Sequence, residues 1–255
     1  MGIYIILKMN RGAFLNKTKY NPEEGSASGW PLVLYFHHIH PHLDHYTSIT
    51  PKEFELAMTL VKKSFTFMDP NLLSNRNYDW IPNEPSVVIT FDDGYKDNIT
   101  YALPILEKLS IKAIFFVSID HIGKNNLDSN PKECYLSLED LKIIKSKGHC
   151  IGAHTMSHSA LHTLSFNDAE KEIFDSIEYI KRLFTIENVH FAYPYGFLPS
   201  KKIQLPFETL GFGTVKATSI EWYKEKDNIR RTYLPTGKTE IWEYLIEGWW
   251  NQWFK

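Results

Sequence analysis

The chain has 255 residues, of which 43% are hydrophobic, and this length and apolar content suffice for one full α/β core. The formal net charge is only −2 and no basic run occurs, so neither nucleic acid nor an anionic membrane surface is an expected partner. The only two cysteines, Cys134 and Cys150, exclude a disulfide scaffold and do not have the spacing of a cysteine metal site.

Residues 1–29 are predicted to be an N-terminal lead-in that ends in a loop rich in glycine and serine, NPEEGSASG. The apolar run from Ile3 to Leu7 is too short for the core of a signal peptide, and no other apolar stretch approaches the length of a membrane span. We therefore expect no membrane span and a cytoplasmic location, or an extracytoplasmic one if a leader is removed before Met1. Residues 30–255 are expected to form a single domain.

The first predicted strand, Pro31 to Phe36, is a short apolar run that ends at the adjacent histidines His37 and His38. A helix is predicted to follow, because Thr50-Pro-Lys-Glu53 combines a capping box with a proline in the first turn. Apolar residues continue this helix at helical spacing, namely Phe54, Met58, Val61 and Phe65.

The central strand is predicted at Ser86 to Phe91, an apolar run that leads directly to two carboxylates, Asp92 and Asp93, and then to Gly94. Two interpretations of the carboxylates are open. They could cap a helix that follows, since aspartate is a good N-cap. They could instead carry chemistry, because the carboxyl ends of strands form the active site in many α/β folds.

The remainder of the chain alternates helical and strand patterns, which predicts one parallel α/β domain, either barrel-like or doubly wound. Helices are predicted at 102–109, from Leu138 to a stop at Gly148, and at 167–184 and 240–254. Strands are predicted at 112–117, 150–153, 189–193, 213–218 and 229–234.

The strand at 150–153 ends in His154-Thr-Met-Ser-His158, two histidines at i and i+4. On a helix or in a tight turn the two imidazoles lie on one face, and imidazole is a common metal ligand. A pair of this kind is also common on helix surfaces without any metal. If a strand-end aspartate joins the pair, the set becomes two histidines and one carboxylate, which leaves coordination positions open for water and substrate.

Three segments together are similar to motifs of the NodB-homology polysaccharide deacetylases, carbohydrate esterase family 4: Thr90-Phe-Asp-Asp-Gly94, His154-Thr-Met-Ser-His158 and Phe191-Ala-Tyr-Pro-Tyr-Gly196. The resemblance spans roughly Pro31 to Leu234. It implies an α/β fold, a distorted (β/α) barrel of the NodB-homology type, with the site at the carboxyl edge of the strands.

The resemblance also implies the roles of individual residues. Asp92 takes the place of the general base, and the backbone N–H of Tyr195 helps to bind the oxyanion. Asp93, His154 and His158 take the places of the ligands of one divalent metal, with zinc expected first and cobalt, nickel or manganese as alternatives.

The sequence departs from the family pattern at two positions. The third motif usually begins with an arginine that orients the catalytic aspartate, and this position is Ala192. The usual general-acid histidine near the C-terminus is absent, because no histidine follows His190. Both departures are typical of a permuted branch that includes poly-N-acetylglucosamine deacetylases, in which the histidine lies in a Tyr-His-x-Ile segment near the N-terminus. By this resemblance His37, and not His38, is the general acid.

The implied activity is metal-dependent hydrolysis of N-acetyl groups on an amino-sugar glycan or glycan precursor, with release of acetate. Two alternatives stay open: an amidase or esterase that uses the same site on a non-sugar substrate, and a metal-free carbohydrate-binding relic. Asp92 also needs a cation to orient it in the absence of the family arginine. Arg230 and Arg231 lie on a predicted late strand, where alternation would direct only one of them inward.

Overall fold

The computed structural model describes residues 20–74, 78, 80–125, 133–214 and 217–255. A parallel sheet with the strand order β1-β5-β6-β7-β8-β9 forms the centre of this fold, and the short strand β4 pairs with the start of β5. The strands in the described part of the chain are β1 (Leu32–Phe36), β2 (His38–Ile39), β3 (Ser48–Ile49), β4 (Thr66–Phe67), β5 (Ser86–Phe91), β6 (Ala113–Val117), β7 (Cys150–Ala153), β8 (Phe191–Ala192) and β9 (Gly211–Phe212). Strands β2 and β3 form a separate parallel pair.

The sheet curls into a half-barrel with helices around it, which confirms the predicted (β/α) barrel class. The segment 229–232 lies between the two outer strands, β9 and β1, without forming a regular strand itself. Ile229 bridges to Phe212 on β9, and Thr232 bridges to Leu34 on β1. Because each bridge is isolated, the predicted strand from Ile229 to Leu234 is wrong as a regular strand. The side chain of Arg231 in this segment is nevertheless fully buried.

Each helix buries apolar residues on one side. They are α1 (Pro51–Lys62), α2 (Leu103–Leu109), α3 (Leu138–Ser146), α4 (Phe166–Phe184) and α5 (Trp242–Trp253). Complete capping boxes begin α1, at Thr50 and Glu53, and α3, at Ser137 and Asp140. A π-helical turn at Asn98–Ala102 leads into α2.

The central strands are apolar on both faces because the sheet is covered on both sides. Every residue of β5 and of β6 is buried, and the rings of Phe91 and Phe115 stack across these strands with their centroids 4.8 Å apart. The two strands therefore form a rigid base, and the residues that follow β5 are held at a fixed place on the carboxyl edge of the sheet.

Several predicted elements differ from the observed ones. Helix α1 ends at Lys62, so Phe65 packs from the following turn, and β8 is shorter than the predicted 189–193. The predicted strand 213–218 is wrong, because the strand is Gly211–Phe212; residues 215 and 216 lie outside the described part. The strand contains a glycine at position 211 because the Asp227 backbone passes close to it. A Cβ at Gly211 would lie 2.5 Å from the Asp227 carbonyl oxygen.

Residues 1–19 of the predicted lead-in lie outside the described residues. The rest of the lead-in packs against the domain: the Gly29 amide donates to the Trp253 carbonyl at 2.9 Å, and Pro22 lies against Gly248 of α5. The boundary at residue 29 stays a prediction. Within the described residues, no helix is both long and apolar enough to span a bilayer.

Candidate active site and metal centre

One cavity of about 930 Å³ opens at the carboxyl edge of the sheet. Its wall includes the residues that follow β1, β5, β7 and β8, as expected for parallel strands whose ends meet at one edge. All six side chains or backbone groups predicted for the site line this cavity: His37, Asp92, Asp93, His154, His158 and Tyr195. The topology therefore brings together residues that are up to 158 positions apart in the sequence numbering (Tyr195 minus His37).

Asp93, His154 and His158 form the metal-type cluster. One oxygen of Asp93, Oδ1, lies 3.2 Å from His154 Nε2 and 2.9 Å from His158 Nε2. The three candidate ligand atoms lie within 4.8 Å of one another. Two imidazole nitrogens and one carboxylate oxygen that converge in this way fit a single divalent ion with open positions. The residues present therefore suit the metal that the sequence predicts, without deciding which metal it is.

The backbone after β5 is strained at the point where it turns toward this cluster. Asp93 has φ 70°, which is unusual for a residue with a side chain, and Gly94 continues the turn with φ 73°. A Cβ at Gly94 would lie 2.8 Å from Cγ1 of Val117, so the position requires glycine. Backbone strain of this kind is common at functional sites. Here it directs Asp93 to the two histidines while Asp92 stays in line with the strand.

His154 is held by its other ring nitrogen. Nδ1 donates to the carbonyl oxygen of Ala192 at 2.8 Å, and this hydrogen bond leaves Nε2 with the lone pair that a metal requires. Because this contact uses the main-chain carbonyl of residue 192, it needs no particular side chain there, and alanine is sufficient.

His158 lies on a turn and not on a helix. Thr155 has φ 65° and His158 has φ 61°, and the Thr155 hydroxyl accepts the His158 amide proton at 2.9 Å. The i, i+4 spacing therefore produces convergence through a tight turn, the second of the two possibilities considered from the sequence.

Asp92 is paired with Arg231. Nη1 and Nη2 of Arg231 donate to Oδ1 and Oδ2 of Asp92, each at 2.7 Å. The side chain of Arg231 is fully buried and that of Asp92 is 4% exposed. Arg230 points outward and pairs with Glu225. Strand-like alternation thus directs one of the two candidate arginines inward, and the structure identifies it as Arg231.

Four further contacts hold the Arg231 guanidinium in place. Nε donates to the carbonyl oxygen of Gly213 at 2.8 Å, and Nη1 also donates to the Thr90 hydroxyl at 3.1 Å. The Tyr35 and Phe116 ring centroids lie 5.1 Å and 5.5 Å from the guanidinium carbon. These contacts come from several strands, and they leave the arginine little freedom to move away from Asp92.

The electrostatic surroundings keep both aspartates ionised. Burial alone would raise the pKa of Asp92, but the Arg231 guanidinium outweighs it and holds that pKa below its ordinary value. Burial likewise acts to raise the pKa of Asp93, and its contacts with the His154 and His158 rings hold that pKa well below the ordinary range. Asp92 is therefore an ionised, arginine-paired carboxylate, and Asp93 is a carboxylate whose charge suits a metal ligand.

His37 and His38 face different surroundings. His37 lines the cavity, and burial lowers the pKa of its ring while Asp93 and Asp92 act to raise it. His38 instead donates from Nδ1 to Oδ2 of Asp97 at 2.6 Å and stacks on the Tyr95 ring at a centroid distance of 3.5 Å. The side-chain register expected from the sequence at this strand end is therefore the one observed.

Tyr195 adopts φ 58° and ψ 3° in a short 3₁₀ turn after β8. The next residue, Gly196, has φ 71°, and a Cβ there would clash with the Thr214 side chain. In the described part of the chain the Tyr195 amide makes no hydrogen bond, so its N–H is free to bind an oxyanion in the cavity.

The cavity rim contains residues that sequence reasoning missed. Three exposed aromatic side chains line the cavity and were not predicted, namely Tyr46, Phe197 and Tyr233, and they lie beside the predicted Tyr195. The lead-in contributes Tyr20, Asn21 and Glu24 to the wall. The described lining residues include no lysine or arginine. The high aromatic content, 15%, was a signal for such a rim, but composition alone does not separate a rim from a core.

The chain matches a known protein family, and its fold has counterparts among solved structures. A family model for polysaccharide deacetylase matches residues 81–212, a range that contains all three motifs. The Streptococcus pyogenes deacetylase PplD, solved in complex with acetate, superposes with a TM-score of 0.66 over 86% of this chain and 97% of its own, at 21% identity. That similarity concerns the fold.

Two curated relatives extend the comparison. YxkH of Bacillus subtilis (strain 168), which its name assigns to the polysaccharide deacetylases, is 31% identical over 155 residues, 61% of this chain and 46% of its own. The poly-beta-1,6-N-acetyl-D-glucosamine N-deacetylase of Staphylococcus aureus (strain MSSA476) is 27% identical over 172 residues, 64% of this chain and 58% of its own. The match thus spans about half the length of these relatives.

Proposed function

Because the chain belongs to the polysaccharide deacetylase family, we propose that it is a metal-dependent hydrolase that removes N-acetyl groups from an amino-sugar glycan or glycan precursor. The observation that carries the proposal is the shared cavity wall, which joins a two-histidine, one-carboxylate ligand set to a separate ionised carboxylate, Asp92. Metal-assisted hydrolysis of an unactivated amide uses both parts, a Lewis acid that polarises the acyl group and a base that activates water.

Asp93, His154 and His158 would hold the ion, with zinc expected first and cobalt, nickel or manganese as alternatives. When bound, the ion would supply Lewis-acid polarisation of the acyl group and of water. The fit rests on the donor set: the Ala192 carbonyl fixes the His154 ring so that Nε2 is the free ligand atom.

The remaining steps use the side chains and backbone of this chain. Asp92, kept anionic by Arg231, would accept a proton from the attacking water. The Tyr195 N–H would donate to the oxygen of the tetrahedral intermediate. His37 would give a proton to the departing nitrogen as the C–N bond breaks. The C–O bond to water forms, the C–N bond breaks, and the net products are acetate, the free amine and one proton released to solvent, so atoms and charge balance.

The lining of the cavity favours a neutral glycan over an acidic substrate. Its rim presents aromatic rings to solvent, and rings of this kind stack on the apolar faces of sugars. Glu24 lines the wall, and the described lining offers no lysine or arginine to bind a carboxylate on the substrate. We therefore propose a neutral N-acetylated amino-sugar polymer or oligomer, the chemistry named for the Staphylococcus aureus relative.

The test measures acetate and free amine released from N-acetylglucosamine oligomers in β-1,4 and β-1,6 linkage by protein loaded with zinc or cobalt. We expect turnover with at least one oligomer and equal yields of acetate and amine. Turnover of a panel of non-sugar N-acyl amides or esters, with none of the oligomers, would favour the amidase or esterase alternative. Binding of oligomers without metal and without acetate release would favour the carbohydrate-binding alternative.

A further inference from the structure

The turn that carries His158 needs an external support. Its backbone adopts a left-handed conformation at two residues with side chains, Thr155 and His158. Such conformations are disfavoured for residues other than glycine and persist where the surroundings determine them. Thr155 supplies part of this support, since its hydroxyl donates to the His154 carbonyl at 2.6 Å and accepts the His158 amide.

The outer side of the same turn is fixed by a carboxylate from another element. Glu172, on α4, accepts the Ser157 amide proton on Oε2 at 2.9 Å and the Ser157 hydroxyl proton on Oε1 at 2.8 Å. The Ser159 hydroxyl lies 2.6 Å from the Ser157 hydroxyl and continues the network. Both oxygens of one carboxylate thus bind the residue immediately before His158.

Helix α4 is a rigid base for this contact. It has 19 residues, its buried face includes Ile173 and Ile177, and the Ser165 hydroxyl caps its start by accepting the Asp168 amide proton. Glu172 lies next to the buried Ile173, so the backbone at that point is fixed against the sheet.

The two histidines differ in what holds them. His154 directly follows β7, its side chain is 2% exposed, and its ring is bonded to the Ala192 carbonyl. His158 is 18% exposed and lies wholly on the turn. Its position relative to Asp93 therefore depends on the turn keeping its shape.

We propose that Glu172 is a positioning residue for His158 and that it sets the affinity of the site for a divalent ion. This inference rests on the proposed function, because it assumes that the cluster binds metal. Without the carboxylate, the Ser157 amide and hydroxyl lose their acceptor. Thr155 and His158 then leave the left-handed backbone conformation, and the His158 ring moves away from Asp93 and His154. Loss of such an outer contact typically weakens metal binding by about 10-fold to 100-fold.

The experiment compares Glu172→Ala, Glu172→Gln and a matched control, Glu170→Gln, in the full chain. Glu170 lies on the same helix and is exposed, so its substitution makes the same charge change away from the turn. Zinc affinity is measured on metal-free protein by competition with a chromophoric chelator. We expect about 10-fold to 100-fold weaker binding for Glu172→Ala and no change for Glu170→Gln. Glu172→Gln should be intermediate, because its amide oxygen can still accept the Ser157 amide proton.

A second readout reports the ligands themselves. The visible absorption of bound cobalt depends on ligand number and geometry, so it should change in Glu172→Ala and remain wild-type in Glu170→Gln. Zinc affinity of the double variant Ser157→Ala/Glu172→Ala should be no weaker than that of Glu172→Ala alone, because the two substitutions remove the same hydrogen-bond network. Thermal unfolding of the metal-free variants tests whether any loss comes from a generally destabilised fold.

Wild-type zinc affinity and an unchanged cobalt spectrum in Glu172→Ala would overturn the inference, as would equal losses in Glu172→Gln and Glu170→Gln. Those outcomes leave the proposed function standing. If the wild-type protein bound neither ion, the metal site itself would fall, and the two failures are thus distinguishable.

Discussion

Arg231 and Asp92 form a buried ion pair in which two guanidinium nitrogens meet two carboxylate oxygens, each at 2.7 Å. The bidentate geometry fixes the direction of the carboxylate as well as its charge. The family pattern assigns this task to an arginine in the third motif, where this chain has Ala192. In this structure a residue from the segment that bridges β9 and β1 meets the same need from another direction.

The first prediction concerns this pair. Arg231→Met leaves Asp92 buried without its partner, and removing one member of a buried pair typically lowers the free energy of unfolding by about 3–5 kcal/mol. Arg230→Met is the matched control, because its partner Glu225 is partly exposed and such pairs contribute about 0–1 kcal/mol. Urea unfolding of the two variants measures the difference. Equal losses would mean that the Asp92 pair does not stabilise the fold.

The second prediction separates the two aspartates. Asp92→Asn should keep stoichiometric zinc and lower kcat by ~10²–10⁴-fold, since general-base assistance is worth about that much. Asp93→Asn should lose metal, because it removes the anionic ligand between the two histidines. Metal content by elemental analysis, measured beside acetate release, checks both. Equal metal loss in the two variants would show that the assigned roles are wrong.

The third prediction concerns the adjacent histidines. His37→Ala should reduce turnover strongly and leave the metal content unchanged, because only His37 lines the cavity. The alkaline limb of the pH–rate profile should also disappear, since the rate falls as pH rises through the pKa of the proton donor. Burial lowers that pKa of His37, so in the wild-type enzyme the limb begins at lower pH than for a free imidazole.

His38→Ala is the control for that experiment. It removes the bond to Asp97 and the stacking on Tyr95, so its effect should be on stability and mild on kcat. If His38→Ala were the inactive variant and His37→Ala retained a normal profile, the assignment of the general acid would be wrong.

The fourth prediction is a pH dependence of stability that arises away from the site. Burial lowers the pKa of His149 to about 4, and its Nδ1 accepts the Ala113 amide proton, which the charged ring cannot do. The unfolded chain binds this proton at a pKa of about 6.5, so the stabilisation is present above that value and is lost as pH falls. Between pH 7.5 and pH 5 the loss should be on the order of 2 kcal/mol.

Urea unfolding at the two pH values, with wild type and His149→Gln, measures this contribution. The pH dependence should be smaller in His149→Gln, because the variant has no ring to protonate. His162→Gln serves as the control, since His162 is exposed. A wild-type pH dependence in His149→Gln would assign the acid sensitivity to other groups.

The amino-acid sequence was enough to predict the central strands of the sheet and the polar residues that follow them. Apolar runs such as Ser86–Phe91 have a local signature, because a strand buried on both faces needs apolar residues at every position. Parallel strands present their carboxyl ends at one edge, so residues that follow separate runs could be expected in one cavity. A strand-end aspartate was expected near His154 for this reason, and the family resemblance indicated that it is Asp93.

The contacts between side chains that are far apart in the sequence depend on the tertiary structure. Arg230 and Arg231 are equivalent in sequence, and only the bridges of Ile229 to β9 and Thr232 to β1 determine that Arg231 points inward. The Glu172 contact with Ser157 likewise depends on how α4 packs. The spacing of apolar residues along the sequence predicts a helix or a strand, because side chains on one face repeat about every 3.6 residues in a helix and every 2 in a strand. The partner of a side chain on another element depends on register and packing, and these are set only when the whole core assembles.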